Sequence, residues 1–132
     1  MVRNINEVQK ILKEYFKTHP EIEVAYIFGS LSQGKINPLS DIDIALLIDR
    51  NKIKEETYPY GYKAEILADL VQLLKTNNVD LVLLDEASPL LRHRILYFGK
   101  VIYSRDERKR IKFQIDTINK YNDYKYLFKW HR

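Results

Sequence analysis

Phe28-Gly29-Ser30, ten further residues, then Asp41-Ile42-Asp43-Ile44 is the stretch that decides how this chain is read. An apolar strand runs into a small turn, and a second apolar strand carries two carboxylates one residue apart. Side chains alternate along a strand, so Asp41 and Asp43 share one face while Ile42 and Ile44 share the other. Two carboxylates held side by side repel, and without a cation one of them is driven toward its neutral form. A hard divalent cation relieves that repulsion. Mg²⁺ takes one or two carboxylates together with substrate phosphates and water, and the Gly29-Ser30 turn offers backbone N–H groups to a triphosphate. The stretch reads as a metal-nucleotide site built from Gly29, Ser30, Asp41 and Asp43. Gln33 and Lys35 are near enough in sequence to reach phosphate, although solvated loop residues are the commoner case.

Outward from it, Ile5, Val8, Ile11, Leu12, Tyr15 and Phe16 recur at helical spacing from an N-cap at Asn4 or Asn6 to Thr18, and His19-Pro20 ends the pattern. Residues Ile22 to Phe28 are the first strand and Asp41 to Ile48 the second, joined by a connection with turn chemistry at Ser32-Gln33-Gly34 and Asn37-Pro38. A helical turn after Ser30 is expected there. Lys52 to Tyr62 reads as a loop or ragged helix start; its tyrosines, Tyr58, Tyr60 and Tyr62, suit either adenine stacking or loop packing. Ala64 to about Lys75 is a helix closed by Asn77-Asn78, and Val79 to Leu84 is a third strand, apolar enough for a central strand covered on both faces. Ser88-Pro89 opens a helix that Gly99 ends. Val101 to Tyr103 suits an edge strand. A final helix runs from about Asp106 to Trp130, with Ile111, Ile115 and Ile118 on one stripe and, beyond Tyr121, aromatic residues around most of its circumference.

Asp80 lies in the third strand between Val79 and Leu81. If that strand neighbours the second, Asp80 completes a three-carboxylate cluster able to hold two Mg²⁺ ions, the arrangement that clamps the attacking and leaving oxygens of an in-line displacement at phosphorus. Otherwise it is a strand-start acid after the Asn77-Asn78 turn. The chemistry that follows from a cluster is attack on the α-phosphate of a nucleoside triphosphate, with pyrophosphate leaving.

The chain has 132 residues, enough for one domain, with a core from about 5 to 104 and a C-terminal helix from about 106 to 130. It contains no cysteine, which removes disulfides and thiolate metal sites and agrees with a reducing compartment. The polar start and the absence of any long apolar run point to a cytoplasmic protein without a membrane span. A net charge of +4 suits an anionic ligand, but 22 basic residues are opposed by 18 acidic ones. Arg105, Arg108, Lys109, Arg110 and Lys112 form a basic run interrupted by Asp106 and Glu107, which reads as a solvated helix face, so direct nucleic-acid binding is disfavoured. His19, His93 and His131 show no metal-ligand spacing, and His93 reads as a surface residue.

The Gly-Ser turn, the spacer, the D-x-D pair and Val79-Asp80-Leu81 together resemble the nucleotidyltransferase superfamily related to DNA polymerase β. More narrowly, they resemble its minimal nucleotidyltransferases, the antitoxins paired with HEPN-domain ribonuclease toxins. The resemblance spans roughly residues 5 to 104. It implies an α+β nucleotidyltransferase fold: a small mixed sheet with helices packed mainly on one face and a long C-terminal helix. It also implies Mg²⁺ and ATP as cofactor and donor, with AMP transferred to a tyrosine hydroxyl of a HEPN toxin. On that basis Gly29 and Ser30 hold the triphosphate, and Asp41, Asp43 and Asp80 are the catalytic and metal-binding acids. Outside the resemblance, the surplus apolar surface of Tyr121–Trp130 suits either docking of the partner or a C-terminal end that frays or folds back on its own core. Two other functions stay open on the sequence: an antitoxin that neutralises by binding alone, and a transferase for a small hydroxylated molecule. The shortness of the chain disfavours the latter, since little remains after the third acid for a substrate-binding domain.

Overall fold

The computed structural model describes residues 5–29 and 41–130, with side chains described as far as residue 127. Ser30, the turns at Ser32-Gln33-Gly34 and Asn37-Pro38, the helical turn after Ser30, Gln33 and Lys35, and the side chains of Phe128 and Trp130 lie outside the described residues. The element order is α1 (Ile5–Lys17), β1 (Ile22–Phe28), β2 (Ile42–Ile48), α2 (Tyr62–Leu74), β3 (Val79–Leu83), α3 (Pro89–Phe98), β4 (Lys100–Ser104) and α4 (Glu107–Trp130). Two short 3-10 turns, Arg50–Lys52 and Glu55–Thr57, fill the ragged segment before α2.

Local chemistry explains these boundaries. Helix α1 buries Val8, Leu12 and Phe16, four residues apart on one face. Arg105 adds donors from across the chain to the carbonyls at and beyond the C-terminal end of α1: its guanidinium donates to Phe16 O at 3.0 Å, Lys17 O at 3.2 Å, His19 O at 3.3 Å and Ile22 O at 3.2 Å, beside the backbone bonds that Phe16 O and His19 O already accept. Helix α3 starts as its sequence predicts, with Ser88 Oγ accepting from Leu91 N at 3.2 Å and Pro89 in the first turn. Helix α2 stops one turn before Asn77-Asn78, because Lys75 takes the left-handed conformation, φ 55°, with its N–H on Val71 O. A side chain there carries a steric penalty that glycine lacks. Lys75→Gly is therefore expected to stabilise the protein by ~0.5–1 kcal/mol, seen as a higher midpoint in urea; an unchanged or lower midpoint would contradict it.

The four strands form one mixed sheet in the order β3-β2-β1-β4. β1 lies antiparallel to both β2 and β4, and β2 lies parallel to β3. The larger core packs α1 and α2 on one face of this sheet through Leu12, Phe16, Ile66 and Leu70 against Ile27, Ile44 and Leu46. Here the main body of the core sits where the sequence leads one to expect it. A smaller second core covers the opposite face, where Ile95 of α3 and Phe113 of α4 meet Val24, Tyr26 and Ala45.

Two expectations change. The third strand is an edge strand, not a central one, because its apolar residues report coverage of its faces by helices and not pairing along its edge. In α4, Ile111, Ile115 and Ile118 are 48%, 53% and 42% exposed, while Phe113 and Thr117 turn inward. The inward stripe is fixed by rings: Arg92 lies 5.8 Å over Phe113, and Tyr121 stacks on His93 at 3.6 Å. A helix with apolar residues on two stripes buries whichever offers the better-packed contact. Among the described residues no helix is long and apolar enough to cross a membrane.

Candidate active site

The end of β1 meets the start of β2 at one side of the sheet, and that side carries the acids. In the β1–β2 ladder Phe28 stands opposite Asp43, and in the β2–β3 ladder Asp43 stands beside Asp80. Parallel neighbours lie about 4.8 Å apart, so the sheet itself places the second and third acids of the sequence pattern next to one another. Asp41 is exposed just before β2, two residues from Asp43 and on the same side of the strand.

The electrostatic cost falls on Asp43. It is half-buried, and its pKa is pushed up to about 6, first by burial, then by the charge of Asp80 and then by that of Asp41. Asp80 is exposed at the start of an edge strand, so it carries no comparable burial cost. Edge position lets water solvate it. Among the described residues, no group of three or more His, Cys, Asp or Glu side chains is drawn together closely enough to hold a metal ion. The donor chemistry nevertheless fits a hard cation: the acids offer carboxylate oxygens, and the half-buried one among them is raised in pKa by burial and by the charges of the other two. Asp41 and Asp80, both exposed, retain the rotamer freedom to close on one.

Gly29 is the tightest part of the site. Its φ of +74° favours glycine, and a Cβ at this position would overlap Asp43 Oδ2. Gly29→Ala is accordingly expected to displace the Asp43 carboxylate, cost ~1–2 kcal/mol of stability and lower nucleotidyl transfer at least tenfold. Retention of full transfer rate would show that the close approach is dispensable. Gly99 has a parallel role, since a Cβ there would come within 3.1 Å of Ile27 O and 3.4 Å of Phe28 Cβ. The end of α3 is thereby seated on the end of β1. That packing brings exposed Phe98 and Lys100 to the same end of the sheet as Gly29, Lys100 pairing with Ile27. Lys100 is a cation the sequence reading did not single out; only the pairing of β4 with β1 brings it here.

Other candidates resolve into packing. Tyr62 is buried and donates to Glu21 Oε2 at 2.7 Å, with the Tyr58 ring 5.0 Å away, at the far end of β1, so these rings do not serve an adenine at the acids. Of the basic run, Arg105 caps α1, Lys109 pairs with Glu23 at 2.9 Å, and Arg110 pairs with Glu107. His93 is half-buried and stacks on Tyr121, itself half-buried, so one face of that ring is taken up within the molecule.

Comparison with known proteins gives a consistent result. The family model described as polymerase beta, nucleotidyltransferase, matches residues 10–108. The chain is 31% identical, over 89% of its length and 77% of the relative's, to protein adenylyltransferase MntA of Shewanella oneidensis. It superposes with a TM-score of 0.69 and 28% identity on a crystal structure of a toxin-antitoxin with AMP-PNP, covering 92% of each chain. A TM-score of 0.65 with 26% identity relates it to the complex of tri-AMPylated Shewanella oneidensis HEPN toxin with MNT antitoxin, covering 92% of this chain and 89% of that one. With the acids on adjoining strands, the glycine turn against them and a family match across three-quarters of its length, this chain belongs to the polymerase beta nucleotidyltransferase family.

Proposed function

We propose that this protein is an antitoxin that transfers AMP from ATP to a tyrosine hydroxyl of a partner HEPN ribonuclease toxin and thereby silences it, using Mg²⁺. The observation that carries the reading is the side-by-side register of Asp43 and Asp80 with Gly29 packed on the Asp43 carboxylate. The named relatives support it, being described as protein adenylyltransferases and as partners of an AMPylated HEPN toxin.

In this reading Asp41, Asp43 and Asp80 would hold Mg²⁺. When bound, such an ion would supply positive charge opposite the phosphates and the leaving oxygen. The chain's own residues do the rest. Gly29 leaves room for a triphosphate to approach the backbone, and Ser30 adds its N–H and hydroxyl. Asp80, exposed and solvated, takes the proton of the acceptor hydroxyl as its oxygen forms the new bond to the α-phosphorus and the bond from that phosphorus to the β-phosphate bridge breaks. The exposed Tyr126 and Leu127 of α4, with the isoleucine stripe, provide apolar surface for a protein acceptor.

Label from α-phosphate-labelled ATP, followed into the co-purifying partner protein with Mg²⁺ present, tests this reading. Wild type should label the partner and Asp41→Asn should not. A partner that is bound and silenced with no label in either protein would sink the transfer and leave a capping antitoxin. In that case truncation before Tyr121, not the loss of a carboxylate, would release the toxin.

A further inference from the structure

At the opposite end of β2 from the acids, five residues and roughly 17 Å along the strand from Asp43, a cavity of about 390 Å³ opens between the sheet and α4. We propose that it binds a phosphorylated small molecule of mononucleotide size, separate from the transferase site. Its volume falls within the range of small-ligand pockets. Charge supports an anion. Glu23 on its wall is already answered by Lys52 at 3.2 Å and Lys109 at 2.9 Å, and Lys109 also stands 3.8 Å from Asp49. Arg50 is taken up by Asp85 and Glu86. Lys112 and Lys120 remain against Asp116, and no ion pair holds either lysine among the described residues, while Arg92 keeps its charge with Nη2 donated to Asp85 O at 3.0 Å.

The second observation is independent of charge. Thr117, 1% exposed, lines this cavity with its Oγ1 buried and without a hydrogen-bond partner, and Arg92 Nε on the same wall is likewise buried and unpartnered. Buried polar atoms in folded proteins are almost all bonded. Two orphan groups on one wall of a cationic cavity call for an acceptor-rich occupant. Leu47, only partly buried, adds apolar surface where a ring could lie beside the charged end.

The test uses the full chain carrying Asp41→Asn and Asp43→Asn, in EDTA, so that the transferase site contributes no metal-dependent binding. Calorimetric titration with AMP should give saturable binding. Lys112→Ala with Lys120→Ala should weaken it about tenfold, and Thr117→Val several-fold. Inorganic phosphate alone should bind more weakly than AMP. Without ligand, Thr117→Val should melt no lower than its parent, because an unpartnered hydroxyl has no bond to lose. No saturable binding of AMP, or affinity unchanged in the cavity variants, would overturn the proposal. A lower melting temperature for Thr117→Val would overturn its premise, and phosphate binding as tightly as AMP would remove the nucleotide from it.

Discussion

Asparagine in place of Asp43 is expected to abolish AMP transfer while leaving the metal-free protein at least as stable as wild type. The two effects have one cause. Asp43 is half-buried beside Asp80 and Asp41, with its pKa raised to about 6 by burial and by those charges. Near neutral pH the folded state therefore holds an ionised carboxylate at a loss. The sign follows directly: a carboxyl whose folded pKa lies above its unfolded value contributes stability below about pH 4 that is lost as pH rises through 6. Removing the charge while keeping the shape recovers that loss, about 1 kcal/mol once the shift is discounted for the partial exposure of the group. For a chain of this length that is about 3–4 °C in melting temperature. Transfer moves the other way, by about three orders of magnitude or more, because the site loses a carboxylate that in the proposed reading would help hold the cation facing the reacting phosphates. Melting in EDTA and label transfer with Mg²⁺ measure the two halves separately. A variant that loses transfer only because it unfolds would contradict the assignment of Asp43 to chemistry.

The second large effect lies at the other end of the molecule and concerns alkaline unfolding. Tyr62 is buried and donates to Glu21, itself buried, at 2.7 Å, and Tyr15 donates to Asp69 at 2.6 Å. Burial first, and the bonded carboxylate second, push both phenols far above the usual tyrosine range. Their stabilisation is complete below the unfolded pKa near 10 and is lost above it, since only the unfolded chain then gives up the protons. Stability should fall by about 1.4 kcal/mol per tyrosine for each pH unit above 10. Tyr62→Phe should cost ~1.5–3 kcal/mol at pH 7, because Glu21 loses its donor while remaining buried, and it should flatten the alkaline slope. Urea unfolding of wild type, Tyr15→Phe and Tyr62→Phe from pH 7 to 11 would decide it. Parallel slopes in all three proteins would show that these phenols do not control the transition.

The reach of the sequence can be judged residue by residue. Helix and strand boundaries came within a few residues wherever local chemistry sets them: Ser88-Pro89 at the start of α3, Gly99 at its end, and the β-branched run of β1 between His19-Pro20 and Gly29. The left-handed Lys75 was not legible, because lysine carries no preference for that conformation. The pairing of Asp43 with Asp80 was legible only as a condition, that the third strand neighbour the second, and the ladder meets it. Which carboxylate bears the burial cost was not legible, since adjacent apolar residues look alike around a central acid and around one on an edge. Lys100 and the capping by Arg105 depend on contacts across more than seventy residues, and no periodicity encodes those.

By itself, then, the sequence determined the strand-turn-strand frame, the shared face of Asp41 and Asp43, and the chemistry those carboxylates suit, because alternation, turn residues and ligand hardness are local properties. The tertiary structure alone decided that β3 lies at an edge with Asp80 in water, that Asp43 bears the repulsion, that α4 buries Phe113 and Thr117 and leaves its isoleucines outside, and that a cationic cavity opens at the far end of β2. These depend on which faces and edges meet, and solvation and close packing are properties of the assembled neighbours and not of the segments.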